Sequence, residues 1–235
     1  MKKTTIIIVI AILFISLYAM QEVSYFSYKT TIDKNISTPV LKVPSINLDE
    51  KANFNSLSEG VMIDELSSKP NEGKIIFHGH RTLLGSPFFR LNEVKPNDTV
   101  IVDWAGVGEV NYTVTKTYIV PASHTIEMGN MSKTIYLITC DPIGTSINRL
   151  IVEAEPVSQE PLVDKYIVTN PNENYSNYIA IGFLAIGLIF SYLYPIKEDR
   201  KIILIEIIVI SIVLFGLCFF PVSPAIFGFL GFLGF

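Results

Sequence analysis

The sequence predicts a mainly β domain of the closed or nearly closed barrel class, carried between N-terminal and C-terminal transmembrane helices. Three observations lead to that class. The apolar excess of the chain is concentrated at its two ends. The middle reads as many short runs rich in β-branched and aromatic residues, separated by Gly, Pro, Asn and Asp. Helical signal in the middle is confined to short pieces, over residues 53–58 and 86–91.

The ends are read from hydropathy and charge. Of 235 residues 49% are apolar and only 17% charged, with a mean hydropathy of +0.42, which exceeds what an ordinary soluble domain carries. After Lys2 and Lys3 the stretch "TTIIIVIAILFISLYAM" (4–20) has no charge. Its length suffices to cross a bilayer core of roughly 30 Å with help from flanking groups. No small-x-small cleavage signal follows, so residues 1–20 are read as an uncleaved anchor rather than a signal peptide. Two further spans, "YIAIGFLAIGLIFSYLY" (178–194) and "IILIEIIVISIVLFGLCFF" (202–220), flank the polar loop "PIKEDRK" (195–201). Tyrosines close both ends of the first, as an interfacial belt would. Outside the central segment the basic residues are Lys2, Lys3, Lys197, Arg200 and Lys201, so the positive-inside rule makes the N-terminus and this loop cytoplasmic. Residues 21–177 are then extracytoplasmic: a polar lead-in (21–40), a domain long enough to bury its own core (41–160) and a linker (161–177). Glu206, inside the last span, is expected to snorkel toward Lys201. An apolar tail broken by Pro221 and Pro224 occupies 221–235.

The middle segment holds five Asn-x-Ser/Thr triplets, at Asn35, Asn97, Asn111, Asn130 and Asn174, as an exported domain would. With a net charge of −4 and no basic stripe, the chain is not a nucleic-acid binder. Strands are expected over "VLKVPSINL" (40–48), "GKIIFHGH" (73–80), "DTVIVDW" (98–104), "EVNYTVTKTYIVP" (109–121), "KTIYLITC" (133–140) and "NRLIVEAE" (148–155).

Two positions in these strands point to chemistry. The first is "HGH", where period-two alternation puts His78 and His80 on one strand face, as two metal ligands or as one catalytic group beside a bystander. The second is Cys140. The chain has two cysteines; Cys218 falls in the last span and reads as a small hydrophobe, which leaves Cys140 unpaired in the exported domain. If 135–140 and 149–154 form a hairpin about the Pro142–Gly144 turn, Cys140 faces Arg149 directly. A guanidinium there can stabilise a developing oxyanion. Together with a histidine at another strand's end, these are the parts of a cysteine acyl-transfer site.

The three segments "LKVPSINLD", "HGHRT…SPFFRLNEVKPNDTVIV" and "YLITCDPIGTSINRLIV" together resemble the sortases, the membrane-anchored cysteine transpeptidases of microbial surfaces. The resemblance spans about 41–155, in the family's order. It implies an eight-stranded β-barrel with short helices. It also implies Cys140 as nucleophile, His80 as general acid/base and Arg149 as substrate and oxyanion contact, with no cofactor and no metal. The partners implied are exported proteins with a C-terminal sorting signal and an amine acceptor of the cell wall or of another protein, with membrane lipid around the spans. The chain departs from the family's common pattern in carrying two C-terminal spans, and shows neither an Asp-Pro-aromatic lid motif nor an acidic calcium site.

Other readings of the same residues are a cysteine peptidase with water as acceptor, an exported metal-binding module using His78, His80 and either Cys140 or His124, and a structural membrane protein with an inert thiol. The topology is tested directly. A membrane-impermeant thiol reagent is expected to label Cys140 on intact cells once any wall barrier is opened, and to leave a cysteine placed at Glu198 untouched. The reverse pattern would overturn the orientation.

Overall fold

The computed structural model of the chain describes residues 2–32, 39–82, 84–127, 132–157 and 175–227. These form two compact units, one of helices from the two ends of the chain and one of strands from its middle.

The β unit is a closed barrel of eight strands. In chain order they are β1 (Val40–Val43), β2 (Leu48–Asn53), β3 (Val61–Ile63), β4 (Ile75–His78), β5 (Thr99–Trp104), β6 (Gly108–Pro121), β7 (Ile135–Asp141) and β8 (Asn148–Pro156). Around the barrel the order is β1-β2-β3-β4-β7-β8-β6-β5, closed by antiparallel pairing of β5 with β1. Two of the pairings, β2 with β3 and β4 with β7, are parallel. The long strand β6 serves two neighbours, β5 along its first half and β8 along most of its length, with a bulge between Val114 and Lys116 that bends it from one to the other.

Alternation sorts the side chains of β4, β7 and β8 into two sets. Ile75, Phe77, Ile135, Leu137, Leu150 and Val152 point inward and are fully or almost fully buried in the main core. Their neighbours Ile76, Tyr136, Ile138 and Ile151 form a second apolar cluster on the outer wall, with Tyr118, Val120 and Ile126 against it. The barrel is therefore covered on this side as well as filled. Each fully buried Leu, Ile or Phe contributes about 1.5–3 kcal/mol of transfer free energy.

The expected strands are present, with corrections of detail to them and to the short helical pieces. The run 40–48 is not one strand: Pro44 starts a 3-10 turn (Pro44–Ile46) and Asn47 takes a left-handed φ of 54°, which reverses the chain so that β1 and β2 pair with each other. The expected helix at 53–58 is a turn built on Asn53, whose side-chain carbonyl accepts from the N–H groups of Asn55 and Ser56, followed by a 3-10 turn at Leu57–Glu59. The piece expected at 86–91 appears as turns leading to a 3-10 turn at Leu91–Glu93.

The helical unit consists of α1 (Lys3–Ile32), α2 (Tyr175–Leu193) and α3 (Arg200–Phe219), all three long and apolar enough to cross a membrane. Helix α1 continues well past residue 20, through part of the expected lead-in. A Cβ at Gly187 would lie 2.5 Å from the Ile207 side chain, so this glycine lets α2 and α3 approach closely. The start of α1 is tied to the α2–α3 loop: the Asp199 carboxylate accepts from the Thr5 hydroxyl at 2.6 Å and the Lys2 N–H at 3.2 Å, and Thr5 also meets the Tyr194 hydroxyl at 2.8 Å. Those hydrogen bonds hold the Asp199 carboxyl below the usual range. Lys2 and the 195–201 loop thus share one end of the bundle. Glu206 does not reach Lys201. Five residues apart, the two lie on different helix faces, and both Glu206 carboxyl oxygens are buried without a partner among the described residues. The linker expected at 161–177 lies largely outside the described residues, as do Asn35, Asn130, Asn174 and the last eight residues of the tail.

The inward set dictates the stability of the barrel. Leu137→Ala is expected to cost about 2–5 kcal/mol, read by urea denaturation of the full chain in detergent, whereas Ile143→Ala, on the exposed turn beyond Cys140, is expected to change it by less than about 0.5 kcal/mol. Equal losses would contradict the assignment of inward and outward faces.

Candidate active site

The site is built where β4, β7 and β8 end together. Strands β7 and β8 pair as the hairpin read from the sequence, with Cys140 opposite Arg149. Both belong to the outward set, in line with Ile138 and Ile151. The Arg149 guanidinium is oriented by its own strand end, its Nη1 donating to the carbonyls of Ser146 and Asn148 at 3.1 Å each. Cys140 is a free thiol at partial exposure.

His80 comes from the other side of β7. Strand β4 runs parallel to β7 in the register Ile75 with Ile135 through His78 with Ile138. The chain leaves the regular ladder after His78, but the alignment continues: the Gly79 N–H donates to the Ile138 carbonyl at 3.2 Å, and the buried Thr139 hydroxyl donates to the Gly79 carbonyl at 2.8 Å. Carried two residues beyond His78 and Ile138, that alignment would bring the His80 segment toward the end of β7 that bears Cys140.

The glycine between the histidines has a steric cause. A Cβ at position 79 would sit 2.6 Å from the ring of Phe88, which is fully buried. The Phe88 N–H in turn donates to the His80 carbonyl at 3.0 Å. The segment after His80 therefore folds back over Gly79, and this contact takes the chain out of the strand. The expectation that His78 and His80 share one strand face is corrected accordingly, since β4 ends at His78.

His78, His80 and His124 have different surroundings. His78 pairs through Nε2 with Asp64 at 3.2 Å and is 28% exposed. His124 lies on the exposed segment after β6. Asp64, His78, His124 and Arg149 line one groove of about 310 Å³ whose floor is Ile138 and Ile151. Among the described residues no three His, Cys, Asp or Glu side chains gather as a metal ion would need. His80 is more enclosed, and burial pushes its pKa below the ordinary 6.5.

Sequence reasoning passed over an ion pair that follows the two candidate residues. Arg81 Nη1 donates to Asp141 Oδ1 at 2.6 Å, with Arg81 5% and Asp141 18% exposed. Only adjacency to His80 and Cys140 marked these residues in the sequence. Their pairing depends on the β4–β7 register, across sixty positions.

A free thiol directly across a hairpin from an arginine, with a histidine on the extension of the neighbouring strand, on the wall of a closed barrel, offers the kinds of group that acyl-transferring cysteine enzymes use. The chain belongs to the sortase family, whose members are generally cysteine transpeptidases: the family model described as "Sortase domain" matches residues 32–157. Among solved structures it is similar to sortase C-1 from Actinomyces oris, at 25% identity over 58% of this chain and 82% of that one, with a TM-score of 0.48. It is also similar to a lid mutant of sortase A from Corynebacterium diphtheriae (22% identity, 57% and 79% covered, TM-score 0.48). A third is the Clostridium perfringens sortase C solved with the C-terminal cell wall sorting motif (21% identity, 51% and 70% covered, TM-score 0.46). No curated protein sequence matches the chain.

The lowered pKa of His80 fixes a sign. The unfolded chain binds a proton at this position near pH 6.5 and the folded chain only at lower pH, so the His80 contribution to stability is complete above 6.5 and is lost as pH falls below it toward the native value. The thermal midpoint of the wild type, measured on the full chain in detergent, is therefore expected to fall more between about pH 7.5 and about pH 5 than that of His80→Gln. Parallel curves would show that His80 is not held neutral by burial.

Proposed function

We propose that the protein is a sortase-type cysteine transpeptidase, anchored by three transmembrane helices with its barrel on the extracytoplasmic side. It cleaves a C-terminal sorting motif of exported proteins and transfers the acyl group to an amine of the cell wall or of another protein. The observation that carries this reading is the hairpin register that sets Cys140 opposite Arg149, and the β4–β7 alignment, carried two residues on, supports His80 as their partner. Family membership supports it. The shared position of Lys2 and the 195–201 loop at one end of the helical bundle supports the topology, because both basic clusters then face the cytoplasm.

The chemistry follows from the groups present. His80, neutral at neutral pH, accepts the proton of the Cys140 thiol as the sulfur attacks the scissile carbonyl carbon. Arg149 hydrogen-bonds the oxyanion that forms. Collapse breaks the C–N bond, the imidazolium gives its proton to the leaving amine, and a thioester to Cys140 remains. An acceptor amine then attacks the thioester, His80 takes the surplus proton, and the sulfur departs as thiolate and is reprotonated. The groove leading from Arg149 over Ile138 and Ile151 has room for the acyl-side residues of the peptide.

The test is mass spectrometry of products after incubating the full chain with C-terminal peptides of exported proteins and an amine. The amine adduct is expected; hydrolysed peptide alone would mean a peptidase. Cys140→Ala and His80→Asn are expected to remove transfer with the fold retained. Arg149→Lys is expected to lower kcat/KM by at least about 10²-fold, because a point charge does not reproduce the planar fork. Near-normal turnover by the lysine variant would reduce Arg149 to a simple charge. His78→Gln is expected to keep most activity; loss with both histidine variants together with zinc released by chelators would make the site a metal centre.

A further inference from the structure

The Arg81–Asp141 ion pair is too enclosed and too well placed to be an ordinary surface contact. At 2.6 Å, with the arginine 5% exposed, it joins the residue after His80 to the residue after Cys140. It lies one residue further along the β4–β7 alignment and joins the two segments through their side chains. Arg81 Nε also reaches the Phe89 carbonyl at 3.4 Å, which binds it to the segment that folds over Gly79.

The pair has an electrostatic consequence as well. Alternation puts Asp141 on the opposite face of β7 from Cys140, but a carboxylate on the adjacent residue still disfavours the thiolate through the strand, and a guanidinium held on it cancels most of that effect. The charged and titratable groups around the sulfur are Arg149 across β8, His80 on the extension of β4, Asp141 next in β7 with Arg81 upon it, and His78 with Asp64 one rung back.

We propose that Arg81 and Asp141 are positioning residues: their ion pair clamps the His80 segment against the Cys140 strand and shields the thiol from the Asp141 charge. The proposal rests on the reading of His80 and Cys140 as the reacting pair. Its test needs no peptide substrate, so its failure and the failure of the transpeptidase reading are separate results.

The experiment follows the pH dependence of Cys140 alkylation by iodoacetamide in the full chain in detergent, with Cys218→Ser to leave one thiol. Arg81→Gln exposes the sulfur to an uncompensated carboxylate and is expected to shift the midpoint up by about one unit; Asp141→Asn leaves an uncompensated guanidinium and is expected to shift it down by a similar amount. Opposite shifts are the signature, since a merely structural loosening moves both the same way. The clamp is read from a cycle with His80→Gln, which is expected to change the profile in the intact pair and to change it little once Arg81 is Gln. Arg81→Lys keeps the charge and guards against misfolding of the glutamine variant: its midpoint is expected within about 0.3 unit of the parent, and the exchange Arg81→Asp with Asp141→Arg is expected to restore part of the His80 effect. Midpoints that shift in the same direction or stay in place, or a His80 effect of equal size with and without Arg81, would overturn the proposal. Shifts as described in an enzyme that transfers nothing to any amine would keep the clamp and remove the transpeptidase.

Discussion

The parallel pairing of β4 with β7 is the constraint on which the rest of the site depends. It joins two segments that no local interaction would bring together, and its register aligns His78 with Ile138, which directs the segment after His78 toward the end of β7 that bears Cys140. The register is secured on both barrel faces, by Phe77 and Leu137 inside and by Ile76 and Ile138 outside. A one-residue slip would exchange these faces and expose the core set, so apolar burial enforces the alignment of the polar groups at the strand ends.

What was legible in the sequence was local. The Cys140–Arg149 register follows from the length of the turn between two alternating runs, and the three apolar helices follow from hydropathy alone. Strand β3 escaped notice because three residues, Val61–Ile63, show too little alternation to register as a strand. The end of β4 was misplaced because alternation has no means of announcing that Phe88 comes to lie on Gly79. The extension of α1 beyond residue 20 was missed for a different reason, since hydropathy marks where a span loses its apolar character, not where the helix stops. The Arg81–Asp141 pair was invisible because it joins residues sixty apart, near a parallel pairing that only the folded barrel supplies.

The polar groups at the site divide into those that are anchored and those that are enclosed. Arg149 is held by carbonyls of its own turn, Arg81 by Asp141, and His78 by Asp64. His80 is set apart by the effect of its burial, which lowers its pKa. That contrast suits a division of labour in which fixed charges define where a peptide carbonyl can sit, while the proton moves on a group whose charged form is disfavoured at rest.

The two halves of the site also differ in how far along the chain they must search for each other. Cys140 and Arg149 sit on adjacent strands of a hairpin closed by a short turn, whereas the histidine segment pairs with β7 only after the chain has gone round through β5 and β6. Closing the longer loop costs more entropy and is slower. The hairpin that faces Cys140 with Arg149 is therefore the short closure, and the β4–β7 pairing is the long one, with two further strands of the same barrel laid down between its partners.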